Sequence, residues 1–140
     1  MILQGITELT IIGVHDRGVP NEERIVISVN EPVDLGQYGI MIGVKGQTGA
    51  GFPIKDNLFW FGDGIVYQGD WLFIYTGPGQ PKGSELPNST SKLYSIHWGR
   101  QTTILHDKEL LPILFRVDAV QVPIEPLNTL DPSNTLPKTL

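Results

Sequence analysis

Three histidines are the residues of this sequence best suited to acid–base or metal chemistry, because imidazole changes charge near neutral pH. They are His15, His97 and His106. A metal centre needs two or three such side chains converging with carboxylates, for which Asp63, Asp70 and Asp107 are the candidates. The spacing does not favour this, because no His-Glu-x-x-His motif occurs and no two histidines have helical separation. We therefore expect no metal site and no cofactor.

Other catalytic patterns are also missing from the sequence. There is no cysteine, which excludes a thiol nucleophile, and no serine stands in a Gly-x-Ser-x-Gly turn. The glycines between positions 46 and 51 lack the Gly-Lys-Ser/Thr ending of a phosphate-binding loop. Asp63 and Asp70 are expected to bond turn backbone instead of calcium, which takes six or more oxygens. We expect no enzyme; the alternative is a small metal-dependent hydrolase or metal-binding protein that uses His97, His106 and Asp107.

A binding surface is predicted where one aromatic strand ends. Trp60 and Trp71 stand inside apolar runs and are expected in the core, which needs large side chains in a domain of this size. Trp98 instead precedes Gly99 and is expected to be partly exposed. The predicted binding residues are Tyr94, His97, Trp98 and Arg100.

The charge balance limits the classes of partner. The formal net charge is -5, and the ten basic residues are scattered along the chain. Binding to nucleic acid or to anionic membranes needs clustered Lys and Arg, so neither partner is expected. The N-terminus shows no signal-peptide pattern, and no apolar run approaches the ~18 residues of a membrane span. We expect a soluble, cytoplasmic protein.

The elements that must position these residues are strands. Sixteen glycines and eleven prolines divide the chain into short segments, and no long stretch keeps a 3.6-residue apolar period. Alternating or β-branched runs predict about eight strands, at 9–14, 24–29, 38–44, 58–61, 65–67, 71–75, 93–98 and 113–122. A long surface loop is expected over 76–92 and a single helical turn over 106–111. The fold class is therefore all-β, with a sandwich favoured.

The chain divides into a domain over residues 1–122 and a tail over 123–140. The tail is rich in proline and leucine and has no aromatic residue. Its composition predicts a flexible or extended end. The alternative is docking on a neighbouring subunit or strand addition to a sheet edge, with leucines as anchors. Those leucines are Leu127, Leu130, Leu136 and Leu140.

Several short motifs occur in the order found in one known family. They are Glu22 to Ile27 followed by Asn30, Val33-Asp34-Leu35-Gly36-Gln37-Tyr38, Phe52-Pro53, and Gln68-Gly69-Asp70-Trp71 continuing to Gly79. This stretch resembles the lamin-tail domain family, and Ile96 to Arg100 stands where that family has another tryptophan-containing strand. The resemblance implies an immunoglobulin-like β-sandwich that binds or scaffolds and has no enzymatic activity. We predict from it a non-catalytic protein-interaction or structural module, with a protein partner or self-association into a homo-oligomer.

Overall fold

The computed structural model describes residues 5–46 and 51–124. Within them the chain forms ten strands and one 3-10 helix (Leu35–Gln37), with no α-helix. The strands are β1 (Leu9–His15), β2 (Arg24–Val29), β3 (Val33–Asp34), β4 (Tyr38–Lys45), β5 (Gly51–Trp60), β6 (Ile65–Val66), β7 (Trp71–Tyr75), β8 (Lys82–Glu85), β9 (Lys92–His97) and β10 (Leu110–Arg116). The all-β prediction is confirmed. No helix in the described part is long and apolar enough to cross a membrane.

The strands form three sheets. The largest has the order β1-β2-β7-β9-β8, the second β10-β4-β5, and β3 pairs with β6. Neighbours are antiparallel except β7 and β9, which are parallel. The two larger sheets face each other, since Trp98 after β9 stacks on Phe59 of β5 with ring centroids 5.4 Å apart. This arrangement is consistent with a β-sandwich.

The core forms where the alternation of side chains turns one face of each sheet inward. Ile25 and Ile27 of β2, Leu72 and Ile74 of β7, and Ile40 of β4 are fully buried. These side chains sit at every second position, as a half-buried strand requires. Each contributes about 1.5–3 kcal/mol by leaving water. The sequence pattern 24–29 predicted the β2 part of this core correctly.

Two tryptophans expected in the core lie elsewhere. Trp60 is 43% exposed and Trp71 is half-buried. In β7, Leu72 occupies the inward position, so Trp71 must point outward; in β5, Phe59 packs on the core and Trp60 points away. A run in which every residue is apolar does not show which alternate set faces inward. The prediction of a buried Trp60 is therefore wrong, and Trp71 is only partly covered.

Three predicted elements differ from the structure. The loop expected over 76–92 contains β8, which pairs with β9. The helical turn expected over 106–111 is instead a tight turn closed by the Leu110 amide, which donates to the Asp107 carbonyl at 3.0 Å. The last strand begins at Leu110 and ends at Arg116, so it includes Pro112. Proline lacks an N–H and is tolerated in a strand at a sheet edge, which is where β10 lies.

A buried carboxylate joins the loops at one end of the sandwich. Glu23 is 1% exposed and accepts hydrogen bonds from the Gly18 amide, the Thr76 hydroxyl and the amides of Ile104 and Leu105, at 2.6–3.0 Å. Buried charge is tolerated only when it is well hydrogen-bonded. The carboxylate therefore fixes three separate segments in one arrangement.

The predicted tail falls almost entirely outside the described residues. Only Pro123 and Ile124 of the range 123–140 are described, and both are exposed. The four leucines proposed as anchors lie beyond them.

Candidate interaction surface

The four predicted binding residues do not share one surface. Tyr94 pairs with buried Leu72, and Tyr94 and Trp98 pack against the core. His97 pairs with Tyr75 and lies on the opposite face of the same sheet. Successive residues of a strand point to opposite faces, which separates His97 from Tyr94 and Trp98. A single ligand cannot contact all four residues, because the sheet lies between His97 and the other face.

His97 is part of an aromatic cluster on the outer face of the five-stranded sheet. Its ring stacks on Tyr75 at 5.0 Å and 14°, and Phe73 meets Tyr75 edge-on. The guanidinium of Arg24 lies 5.3 Å from the Phe73 ring centroid. A side chain at Gly79 would collide with the imidazole, so this glycine covers the ring. The histidine is therefore packed as an aromatic ring, which is a structural role.

Arg100 lies at the end of the sandwich that Glu23 organises. Its backbone amide donates to the Thr76 carbonyl at 2.8 Å, and its guanidinium is 5.9 Å from the Trp98 ring centroid. With Asn21 and Thr102 it lines a pocket of about 300 Å³. Of the predicted residues, Trp98 and Arg100 are thus brought together, on an end of the domain and not on a strand face.

The structure gathers no metal-binding group in the part of the chain that it describes. No three side chains among histidine, aspartate and glutamate are close enough there to hold an ion. His106 and Asp107 are exposed, and Asp107 accepts the amide of Glu109 at 2.9 Å, which closes a turn. His97, on the sheet face, does not join them in such a group. Asp70 likewise bonds turn backbone, from Tyr67 and Lys92.

The most unusual surface is the outer face of the three-stranded sheet. Register places six large apolar side chains there, because residues opposite one another in a ladder point to the same face. They are Met41, Leu58, Trp60, Leu111, Ile113 and Phe115. We call these six residues the apolar face. No charged side chain stands among them, and Leu58 and Trp60 are 54% and 43% exposed.

Two glycines in the central strand shape the apolar face. A Cβ at Gly39 would lie 2.6 Å from the Phe59 carbonyl and would collide with the Phe115 ring. A Cβ at Gly43 would collide with Ile113 in the same way. The side chains of β10 therefore lie across the middle of the sheet, and Phe115 meets Trp60 edge-on with centroids 6.2 Å apart. Because these side chains fill the space above the two glycines, the surface of the sheet is continuous here.

A buried polar cluster closes one end of the sheet pair beside this face. The Tyr38 hydroxyl donates to Glu8 at 2.5 Å, and Arg116 donates to the same carboxylate oxygen at 2.6 Å. The hydroxyl bond is the largest cause that lowers the pKa of Glu8 from 4.5 to about 2, with smaller contributions from backbone amides and Arg116 and against the opposing effect of burial. Burial and then the hydrogen bond to Glu8 raise the pKa of Tyr38 to about 12. Glu8 is thus held as a carboxylate that ties β10 to the start of β1.

The apolar face was missed because its residues come from separate segments. Leu111, Ile113 and Phe115 belong to a run in which every residue from 110 to 115 is apolar. The sequence of such a run does not show which alternate residues point outward. The signal that was available was Leu58 and Trp60, which alternate with Phe59 and Phe61 in a strand without a polar side. A strand apolar on both sides indicates that both sides contact protein.

Comparison with known proteins adds no assignment: no family model, no curated protein and no solved structure matches this chain.

Proposed function

We propose that this chain is a non-catalytic protein-interaction module that binds a protein partner through the apolar face. The observation that carries the proposal is six large apolar side chains, without a charge among them, on an outer sheet face. Three strands about 4.8 Å apart and about 20 Å long present roughly 300 Å². The largest apolar patch of a typical monomer is of this size or somewhat larger and is often functional.

The partner must extend past this patch. A stable interface buries about 800 Å² on each side. Beyond one end of the apolar face, the same side of the sheet continues over Pro53 of β5 and ends at Lys45 of β4, whereas Val44 and Phe52 point to the opposite side. A partner that covers the six residues and continues past Pro53 to Lys45 gains further contact. Because the face carries no charge, we infer that the partner presents a complementary apolar surface.

We further propose that the fold is the immunoglobulin-like sandwich of the lamin-tail family. Two hydrogen bonds close turns at the motifs that carry the resemblance, which supports this proposal. The Gly36 amide donates to Asp34 at 2.9 Å, which starts the 3-10 helix, and the Tyr67 amide donates to Asp70 at 2.9 Å. Such a module acts by holding partners.

Site-specific photo-crosslinking tests the proposed surface. A benzophenone amino acid at position 58 is compared with one at Ile65, which is 59% exposed and lies outside the apolar face. We expect a discrete, saturable adduct from Leu58 that excess unmodified protein competes away and that Trp60→Asp abolishes. Equal labelling from both positions, or labelling that Trp60→Asp leaves unchanged, contradicts the proposal.

A further inference from the structure

A second feature, which shares Met41, Ile113 and Phe115 with the apolar face, is the groove between β1 and β10. These strands are the edges of the two large sheets on the same side of the sandwich. The groove has a volume of about 740 Å³ and an apolar lining from both strands. Its main apolar residues are Ile6, Leu9, Ile11, Ile113, Leu114 and Phe115. It is large enough for an extended peptide segment.

The backbone of β10 shows which groups are free to bind there. The Lys45 amide donates to the Glu109 carbonyl, and the Val117 amide donates to the Gln37 carbonyl. The backbone N–H and C=O groups of odd-numbered residues therefore point to β4, and those of even-numbered residues point to the free edge. The backbone groups of an edge strand alternate in this way along the strand. The Leu110 carbonyl agrees with this, because it accepts from Arg17 at 2.8 Å.

One half of this edge is protected and the other half is open. Arg17 occupies the Leu110 carbonyl, and Pro112 has no N–H to offer. Basic side chains and prolines are the usual means of blocking an edge. Leu114 and Arg116 have neither protection on their backbone groups. The open half coincides with the groove, whose lining includes both residues.

The chain itself carries a segment that fits this half. Val120, Val122 and Ile124 alternate with Gln121 and Pro123 and are 74%, 74% and 101% exposed. Paired with β10, the three apolar residues can direct their N–H groups to the edge while Pro123, which has none, faces away. Hydrogen-bonded residues in a ladder share a face, so the apolar side chains would join Leu114 on the core side, over Leu9 and Ile11 in the groove.

We propose that the groove between β1 and β10 receives residues 120–124 of a second copy of this chain. The segment cannot readily serve its own groove, because the Val117 amide continues the ladder along β4 and carries the chain past the end of β10. Reciprocal exchange places the same two elements on both sides of a twofold axis and so closes as a dimer. The dimer is one form of the proposed interaction role but uses a different surface.

Two single-cysteine variants of the full chain test the exchange, since the chain has no cysteine of its own. Ile11→Cys places a thiol on β1 inside the groove, and Val122→Cys places one on the segment. Mixed and mildly oxidised, they should form a hetero-disulfide on the order of a hundredfold faster than Ile65→Cys with Val122→Cys. A segment bound in the groove holds the two thiols at millimolar effective concentration. Equal rates overturn the proposal.

A double variant and a sedimentation measurement decide the remaining outcomes. Ile11→Cys with Val122→Cys in one chain should give a linked dimer. A linked monomer would mean that the segment occupies its own groove, which overturns the proposal. Val122→Asp should weaken self-association at least tenfold in sedimentation equilibrium, while Ile65→Asp leaves it unchanged. Equal association of both variants also overturns it. None of these results affects crosslinking at Leu58, so the two proposals fail separately.

Discussion

Tyr38→Phe should cost stability in a way that depends on pH. The substitution keeps the buried ring and removes only the hydroxyl that donates to Glu8 at 2.5 Å. That bond is the main reason why the pKa of Glu8 lies at about 2. A hydrogen bond to a charged group contributes about 1.5–3 kcal/mol, whereas a neutral one contributes about 0.5–1.5 kcal/mol. We expect a loss of about 2 kcal/mol at pH 7.

The direction of the pH effect follows from the lowered pKa. A carboxylate with a lowered pKa in the folded state stabilises the fold above its ordinary value of 4.5 and loses that contribution as the pH falls towards 2. The full shift corresponds to about 3 kcal/mol, since one pH unit is worth about 1.4 kcal/mol. In Tyr38→Phe the pKa of Glu8 is higher, so the variant loses less stability than the unmodified protein as the pH falls. The difference between the two proteins should shrink to about 1 kcal/mol near pH 2.5.

Urea unfolding of both proteins at pH 7 and near pH 2.5 measures the two differences. Tyr67→Phe is the matched control, because the Tyr67 ring is 58% exposed and its hydroxyl is not part of the cluster. It should change stability by less than about 0.5 kcal/mol at either pH. If Tyr38→Phe loses the same amount at both pH values, the hydroxyl does not stabilise the charged form of Glu8, and the reasoning fails.

Three further substitutions test the packing. Glu23→Ala leaves four buried donors without their acceptor and should cost about 4 kcal/mol or more in urea unfolding; a cost below about 1 kcal/mol would contradict the buried cluster. Gly39→Ala should cost about 1–3 kcal/mol through its collision with Phe115, whereas Gly13→Ala, with open space around it, should not. Leu72→Ala, fully buried, should cost about 2–5 kcal/mol and more than Trp71→Ala, which is half-buried; the reverse order would refute the inward register of β7.

The sequence predicted the strands better than the surfaces they make. All eight predicted strands have counterparts, because turn residues and alternation are local signals. The structure adds β3 and β8, two short strands whose existence depends on pairing with β6 and β9. The early start of β10, at Leu110 and not at Ile113, has another cause. A proline usually indicates that a strand does not extend through it, except in an edge strand. The sequence does not show that β10 lies at an edge; the sheet order does.

The candidate sites needed more than the strands. Tyr94, His97 and Trp98 were grouped because they are close in sequence, but alternation along β9 places His97 on the other face. The apolar face has the reverse relation, since Leu58 and Ile113 are distant in sequence and both lie beside Met41. Sequence distance thus misleads in both directions. The information that decides the site is the register between strands, which depends on long-range contacts.

The two proposed surfaces share β10 and yet can act separately, because the strand offers different groups to each. Its odd-numbered residues present side chains to the apolar face, while its even-numbered residues present backbone groups to the free edge. A strand seated there would turn Gln121 and Pro123 to the outer side and its three apolar residues to the groove. It would therefore border the apolar face at Ile113 and Phe115, which line the groove, and would leave Leu58 and Trp60 of β5 uncovered. A dimer formed by exchange would keep both apolar faces open, one on each copy, and so could hold two partners at once.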